Sequence, residues 1–139
     1  MTETFDYIIV GGGSAGCVIA ARLSGDPQSR VCLVEQGPRD KSLLLHVPIG
    51  FYKAIQDSRY TQHFKTIGEP STGNRRMVWP RGRVLGGSSS INGLLYVRGQ
   101  AEDFDEWEAL GAPGWSFREV LPYFRRSESN VLGDGPFHG

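Results

Sequence analysis

The sequence predicts an α/β fold that opens with a β-α-β unit, and three observations support this prediction. Residues 7–10 and 31–34 are apolar, β-branched runs typical of buried strands. Between them, apolar residues recur at helical spacing from Ala15 to Leu23. The first strand meets this helix through a glycine-rich turn, residues 11–16, with the spacing G-x-G-x-x-G. Strand, glycine turn, helix and strand in this order are typical of a Rossmann-like domain.

Each glycine of this turn has its own predicted role. Gly11 allows a tight turn out of the strand, Gly13 lets a pyrophosphate approach the backbone, and Gly16 lets the helix pack closely on the strand. The helix start offers unpaired N–H groups and a positive dipole end to phosphates. Glu35 follows Gly16 by nineteen residues, near the spacing of about twenty expected for a carboxylate that binds a ribose hydroxyl. The alternative is a turn without a ligand and a surface glutamate.

Composition limits the size and class of the protein. A chain of 139 residues with 39% hydrophobic residues is one domain or a piece of one. Lys+Arg and Asp+Glu both number 15, so charge does not indicate a nucleic-acid or membrane-surface partner. Cys17 and Cys32 lack metal-ligand spacing and are expected to be core thiols. No apolar run is long enough for a transmembrane segment, and no signal peptide precedes the first strand, so a cytoplasmic location is expected.

The middle of the chain predicts shorter elements. Residues 48–55 are expected to form a short helix, residues 68–74 a loop, and residues 77–79 a short strand. His46 and His63 have no second ligand at metal-binding spacing. We therefore predict no metal site here, and structural or surface roles for both histidines.

A second glycine-rich stretch, residues 81–93, has the sequence RGRVLGGSSSING. Its spaced apolar residues, Leu85 and Ile91, distinguish it from a flexible linker. We predict an extended loop that enters a helix near Ser88 and presents N–H groups, hydroxyls and a helix dipole to an anionic group. Two such helix entrances in one small domain predict a ligand held from two sides.

The last third of the chain predicts helices. Residues 102–110 have a helical apolar face, and Ser116 with Glu119 has the spacing of a capping box for a further helix. Pro122 is expected to start a second short helical piece that ends near Arg126. The aromatic residues of this region are expected in the core: Trp107, Trp115, Phe117, Tyr123 and Phe124.

Together, the two glycine-rich stretches resemble the amino-terminal part of the glucose–methanol–choline (GMC) flavoprotein oxidoreductases, especially the choline dehydrogenase and bacterial alcohol dehydrogenase branch. Residues 6–16 resemble the family's adenine-dinucleotide turn, residues 82–105 its first signature, and residues 107–124 its continuation. The resemblance implies FAD as the cofactor. Some relatives carry a histidine at position 91 that links covalently to the flavin. Here the residue is Ile91, which implies non-covalent FAD.

The resemblance also implies which residues bind the cofactor. They are Gly11, Gly13, Ser14, Ala15 and Gly16 at the pyrophosphate, Glu35 at the adenosine ribose, and Val84, Ser88, Asn92 and Gly93 on the flavin side. The Asn92 amide would hydrogen-bond the flavin ring or its ribityl chain. No catalytic residue is assigned, because the catalytic histidine of the family lies near the carboxyl terminus of a much longer chain. His46, His63 and His138 match no such position.

By this resemblance, residues 1–139 are the amino-terminal part of an incomplete, Rossmann-like FAD-binding domain, and the substrate domain and carboxyl-terminal catalytic segment are absent. The implied reaction moves hydride from a small-molecule alcohol to flavin N5, and the resemblance does not define the electron acceptor. The piece alone would be inactive and, with open sheet edges, marginally stable. The alternatives are a fragment of an NAD-dependent dehydrogenase, which leaves residues 82–92 unexplained, a non-catalytic dinucleotide-binding module, and a remnant that neither folds nor binds.

Overall fold

A computed structural model describes residues 3–139 of the chain. The chain divides into two compact units, of which the first ends at Leu95 and the second is Tyr96–Gly139. Among residues 3–139, the first unit contains strands and helices, and the second unit contains helices. This mixture of helices and strands confirms the predicted α/β class. No helix within residues 3–139 is both long enough and apolar enough to cross a membrane.

The chain begins with the predicted β-α-β unit. Strand β1 is Tyr7–Val10, helix α1 is Ser14–Leu23 and strand β2 is Val31–Val34. The two strands pair in parallel, with Tyr7 opposite Val31 and Val10 opposite Val34. The prediction that they are buried strands is wrong, because no other described element covers their outer surface. Val10, for example, is 85% exposed.

Three short helical pieces and a hairpin follow. Helix α2 is Leu43–His46, a 3₁₀ turn spans Pro48–Gly50, and helix α3 is Phe51–Ala54, which confirms a short helix in this region. Strand β3, Thr61–Lys65, pairs antiparallel with β4, Val78–Gly82. The predicted loop contains a 3₁₀ turn at Pro70–Thr72.

The core of the first unit is small. Its buried residues are Ala54, Tyr60, Val84 and Ile91, and the partly buried Leu45 and Ile55 pack against them. Thr61 is also buried, and its hydroxyl donates to the Ala54 carbonyl at 2.8 Å. The prediction that Cys17 and Cys32 are core thiols is wrong, since both are only half-buried.

In the second unit, helices α4 and α5 pack around one aromatic side chain. Helix α4 is Ala101–Ala109 and helix α5 is Phe117–Ser127. Phe104 is 7% exposed and contacts the rings of Trp107, Phe117 and Phe124. The core prediction is wrong for three of the aromatic residues, because a pair of helices can cover them on one side only. These are Trp107, Trp115 and Tyr123, which are 48%, 51% and 70% exposed.

The structure of helix α5 shows that two further predictions are wrong. It runs without a break through Pro122, so that proline does not start a separate helical piece. Proline removes only one N–H donor, so the other backbone hydrogen bonds of the helix can still form. The amphipathic pattern of the sequence also continues on both sides of the proline. The capping box is not formed either. The Ser116 hydroxyl donates to Glu119 Oε2 at 2.7 Å and does not accept from a backbone N–H.

A polar cluster ties the carboxyl-terminal segment of the second unit together. Arg98 donates to Glu128 Oε2 at 2.7 Å, and its guanidinium lies 5.2 Å from the centroid of the Phe124 ring. His138 Nδ1 lies 3.1 Å from the same carboxylate. Burial opposes ionisation of Glu128, but the hydrogen bond with His138 and the charges of His138 and Arg98 outweigh it and hold the pKa of Glu128 below its usual value.

Candidate functional site

The turn between β1 and α1 depends on two of its glycines, Gly11 and Gly16. Gly11 has a φ of +98°, a left-handed conformation that favours glycine, and its N–H donates to the Val34 carbonyl at 2.8 Å. A Cβ on Gly16 would overlap the carbonyl oxygen of Gly11. The absence of a side chain at Gly16 therefore lets α1 pack directly against the turn that precedes it.

The amino-terminal end of α1 is open. Gly13 is the N-cap residue, and no side chain caps the helix. The first intrahelical acceptor, the Gly13 carbonyl, pairs with Cys17, so the N–H groups of Ser14, Ala15 and Gly16 have no acceptor within the helix. A Cβ on Gly13 would meet only Gly87 Cα, at 3.9 Å. This open, donor-rich end of a ten-residue helix can accept an anion.

Glu35 lies directly after β2 and links two loops. Its Oε2 accepts a hydrogen bond from the Gly12 N–H at 2.7 Å, and its Oε1 accepts one from the Gly37 N–H at 2.8 Å. Each carboxylate oxygen keeps a further lone pair for a ligand hydroxyl. The half-buried carboxylate borders a cleft of about 520 Å³, which Leu33, Leu85 and residues 37–41 also line.

The second glycine loop, residues 83–88, lies against the first. The Gly86 N–H donates to the Gly12 carbonyl at 2.7 Å, and a Cβ on Gly87 would lie 2.8 Å from Gly13 Cα. Gly86 and Gly87 have φ values of +93° and +59°. Both conformations favour glycine, and they let two backbones meet at a distance that a side chain would prevent.

The prediction of a helix entrance near Ser88 needs correction. Residues Gly87–Ser90 form a single 3₁₀ turn, because the hydroxyls of this stretch bond to its own backbone and the glycines hold left-handed conformations. One turn has no helix dipole of useful size. The Ser88 Oγ accepts from the Gly82 N–H at 3.0 Å, which connects the loop to the end of β4.

The other residues implied on the flavin side lie before and after Ser88 in the sequence. Val84 is fully buried in the core, so only its backbone could face a ligand. Asn92 and Leu94 line a cavity of about 270 Å³ with residues of the 44–51 segment. The Asn92 Oδ1 accepts from the Leu94 N–H at 3.0 Å, and a Cβ on Gly93 would lie 3.9 Å from the Phe51 ring.

The structure thus brings together the turn of residues 11–16, Glu35 and the loop that contains Ser88. It puts Asn92 at a different cavity, and Gly93 beside Phe51, which lines that cavity. Sequence reasoning missed Gly12 and Gly37, whose N–H groups hold the Glu35 carboxylate. The signal for Gly37 was its position two residues after Glu35, at the end of a strand.

One of the three histidines, His46, lines the cavity of about 270 Å³ with Asn92. His46 contacts the Asp40 carbonyl, His63 lies 2.9 Å from the Ile55 carbonyl, and His138 pairs with Glu128. Within residues 3–139, no three His, Cys, Asp or Glu side chains are grouped so that they could hold a metal ion. The described residues contain no arrangement that we assign as catalytic.

Comparison with known proteins identifies close relatives. The family model described as GMC oxidoreductase matches residues 5–136. An oxygen-dependent choline dehydrogenase of Photobacterium profundum is 49% identical over 139 residues, which are 100% of this chain and 24% of that protein. An alcohol dehydrogenase (acceptor) of Pseudomonas putida is 45% identical over 136 residues, 97% of this chain and 25% of that protein. The chain therefore spans about a quarter of the length of these relatives.

Solved structures share the fold as well. Pyridoxine 4-oxidase from Mesorbium loti superimposes with a TM-score of 0.88 at 39% identity, over 98% of this chain and 27% of that one. An FAD-dependent oxidoreductase from Chaetomium thermophilum gives a TM-score of 0.75 at 32% identity, over 98% of this chain and 25% of that one. The resemblance inferred from the two glycine-rich stretches is confirmed. With a family match that extends over residues 5–136, the chain belongs to the GMC oxidoreductase family.

Proposed function

We propose that residues 1–139 are the amino-terminal, FAD-binding part of an oxidoreductase that acts on the CH–OH group of a small-molecule alcohol. The observation that supports this most directly is the junction of the two glycine loops beside the Glu35 carboxylate. The names of the relatives, which include a choline dehydrogenase and an FAD-dependent oxidoreductase, agree with it. The incomplete domain is proposed to be Rossmann-like, with the turn of residues 11–16 as its dinucleotide turn.

The residues at this junction fit the adenosine diphosphate half of FAD. The pyrophosphate is proposed to lie at Gly11, Gly13 and the free N–H groups of residues 14–16, because anions bind at open helix amino termini. The ribose hydroxyls are proposed to donate to Glu35, which has lone pairs left beside the cleft of about 520 Å³. The glycine backbone leaves room for the pyrophosphate where a side chain would fill it.

The flavin half is proposed to contact Ser88, Asn92, Gly93 and the backbone of Val84. Ile91 is 2% exposed and has no nucleophilic atom, which supports non-covalent attachment at this position. When bound, FAD supplies the acceptor for the hydride that leaves the alcohol carbon. The residues of this chain bind and orient the cofactor. The base that removes the hydroxyl proton is proposed to belong to a substrate-binding and catalytic part outside residues 1–139.

The first experiment is an absorbance spectrum of the purified protein before and after acid precipitation. A flavin spectrum that moves into the supernatant is the expected result, and it would support FAD and its non-covalent attachment. Flavin that stays in the pellet would contradict the interpretation of Ile91. A colourless protein that takes up no added FAD but shows tryptophan quenching with NAD would favour a fragment of an NAD-dependent dehydrogenase.

The variant Gly13→Ala tests the pyrophosphate site without disturbing the fold. Its Cβ meets only Gly87 Cα, at 3.9 Å, which is an ordinary van der Waals distance. We expect the Kd for FAD to rise at least about tenfold, while the stability of the FAD-free protein changes by less than about 1 kcal/mol. FAD titration and thermal unfolding measure the two quantities.

Gly135→Ala is the matched control, because a Cβ there has no neighbour within 4 Å. It should leave both the Kd and the stability unchanged. Wild-type affinity in Gly13→Ala would contradict the proposed position of the pyrophosphate.

A further inference from the structure

We infer that Gly37 and the Glu35 carboxylate are positioning residues that set the conformation of the second glycine loop, residues 83–88. The inference rests on the proposed function, since it assigns the loop after β2 a role in shaping the flavin side of the same site. It adds a residue, Gly37, to which neither the motif spacing nor the resemblance gave a role.

Three loops close a ring of hydrogen bonds around the Glu35 carboxylate. They are the loops that follow β1, β2 and β4. Two bonds end on the carboxylate: the Gly12 N–H donates to Glu35 Oε2 at 2.7 Å, and the Gly37 N–H donates to Glu35 Oε1 at 2.8 Å. Two backbone bonds reach the loop after β4: the Leu85 N–H donates to the Pro38 carbonyl at 3.0 Å, and the Gly86 N–H donates to the Gly12 carbonyl at 2.7 Å. Each loop is therefore bonded to both of the others.

A side-chain substitution can remove a hydrogen bond to the Glu35 carboxylate without altering the backbone groups that form the other bonds of the ring. Both carboxylate oxygens accept a backbone N–H, and hydrogen bonds to a charged acceptor are stronger than neutral ones. An amide at this position offers one oxygen and cannot accept through its nitrogen. Glu35→Gln therefore removes one of the two bonds with almost no change in volume, and it leaves the backbone pairs at Leu85 and Gly86 chemically intact.

Gly37 acts by its lack of a side chain. A Cβ there would overlap the Arg83 carbonyl group and the Val84 nitrogen. These are backbone atoms, which cannot move aside as the end of a flexible side chain can. Any side chain at position 37 must therefore displace the loop after β2 or the loop at 83–88. The requirement is for space, since Gly37 does not have a left-handed φ.

Because Glu35 and Gly37 also border the proposed ribose cleft, loss of FAD affinity alone would not separate positioning from direct contact. Hydrogen–deuterium exchange of the 83–88 amides does separate them. A ligand contact at the cleft would leave exchange in that loop of the FAD-free protein unchanged, whereas a positioning role changes it.

The experiment compares hydrogen–deuterium exchange of the purified wild-type protein, Glu35→Gln and Gly37→Ala, with and without added FAD. We expect the amides of residues 83–88 to exchange about tenfold faster in each variant, as expected for loss of a hydrogen bond to a charged acceptor. Exchange of residues 101–127 should be unchanged, and Gly135→Ala should match the wild type throughout. Glu35→Gln decides the outcome if Gly37→Ala does not fold.

The outcomes distinguish this inference from the proposed function. Wild-type exchange at 83–88 in Glu35→Gln overturns the inference, whether or not the protein holds FAD. Faster exchange in a protein that binds no flavin supports the inference and contradicts the proposed function. Faster exchange together with a raised Kd for FAD supports both.

Discussion

Glycines determine much of the shape of the candidate site. At Gly11 the requirement is conformational, since its φ of +98° suits a residue without a Cβ. At Gly16 and Gly37 the requirement is for space, because a carbonyl group occupies the place where a Cβ would be. The motif predicted separate roles for Gly11 and Gly16, whereas Gly37 lies outside the motif and its requirement for space follows only from the neighbouring backbone.

Among single residues, Glu128 is expected to make the stability of the second unit depend on pH. Its pKa in the folded chain lies below the usual 4.5, so the unfolded chain takes up a proton first as the pH falls. The stabilisation is therefore present above about pH 4.5 and is lost as the pH falls through the folded-state pKa. We expect the Tm of the wild type to fall more steeply below about pH 4.5 than that of Glu128→Gln.

Thermal unfolding followed by circular dichroism between about pH 6 and pH 3 measures this difference. Glu106→Gln is the control, because Glu106 is an exposed carboxylate of α4 whose side chain makes no hydrogen bond within residues 3–139. The Tm of Glu106→Gln should fall with decreasing pH as steeply as that of the wild type. Parallel curves for the wild type and Glu128→Gln would show that the cluster with Arg98 and His138 does not stabilise the ionised carboxyl.

At the scale of elements, the sequence was most informative where periodicity and glycine positions agreed. The β-α-β unit, Tyr7–Val10 to Val31–Val34, was predicted because both signals identify the same boundaries. Strand β3, Thr61–Lys65, was not predicted, because Phe64 is its only large apolar residue and its partner strand lies a long loop away. Its pairing with β4 is a tertiary interaction that no local pattern records.

Local sequence patterns likewise predicted only part of the candidate site. The spacing of Gly11, Gly13, Gly16 and Glu35 was sufficient to nominate the first loop, and two glycine-rich stretches suggested two sides of one ligand site. The bond between Gly12 and Gly86 was beyond prediction, because hydrogen bonds between distant loops depend on the folded path of the whole intervening chain.

Helix α5 carries the clearest element-scale prediction. Pro122 lies in its interior, where it has no N–H to donate to the Arg118 carbonyl. A proline ring at such a position generally crowds the carbonyl four residues earlier. We expect Pro122→Ala to stabilise the protein by up to about 3 kcal/mol, because alanine restores the N–H and relieves this contact. Chemical denaturation at constant pH measures the change.

Pro136→Ala is the matched control for this prediction. Pro136 lies outside the helices in the carboxyl-terminal segment, so its replacement should leave the protein as stable as the wild type or slightly less so. A stability for Pro122→Ala at or below that of the wild type would mean that the proline ring makes a compensating packing contact, and would contradict the prediction.

For the whole molecule, the dominant feature is uncovered apolar surface. In the first unit, Ile8 is 66% exposed, Ile49 is 79% exposed and Leu95 is 86% exposed. From residue 3 onward, this unit has two sheets of two strands each. In the second unit, the surface around Trp115 and Tyr123 is apolar as well. A small core with this much exposed apolar surface supplies little of the free energy that cooperative folding requires.

We therefore expect residues 1–139, produced alone and without FAD, to unfold over a broad temperature range. FAD at about a hundred times its Kd should then stabilise the folded form by about 2.7 kcal/mol, because it binds that form selectively. Differential scanning calorimetry with and without FAD measures both effects. A sharp transition without FAD, with equal calorimetric and van't Hoff enthalpies, would contradict the prediction.

The hydrogen bond between Gly12 and Gly86 has a consequence for the order of assembly during synthesis. The first turn emerges from the ribosome long before the loop that bonds to it, and contacts between distant residues form slowly because a long segment must first be ordered. Until residue 86 has been made, the Gly12 carbonyl has no partner from that loop. The turn of residues 11–16, although it is made before that loop, is therefore among the last parts of the first unit to be completed.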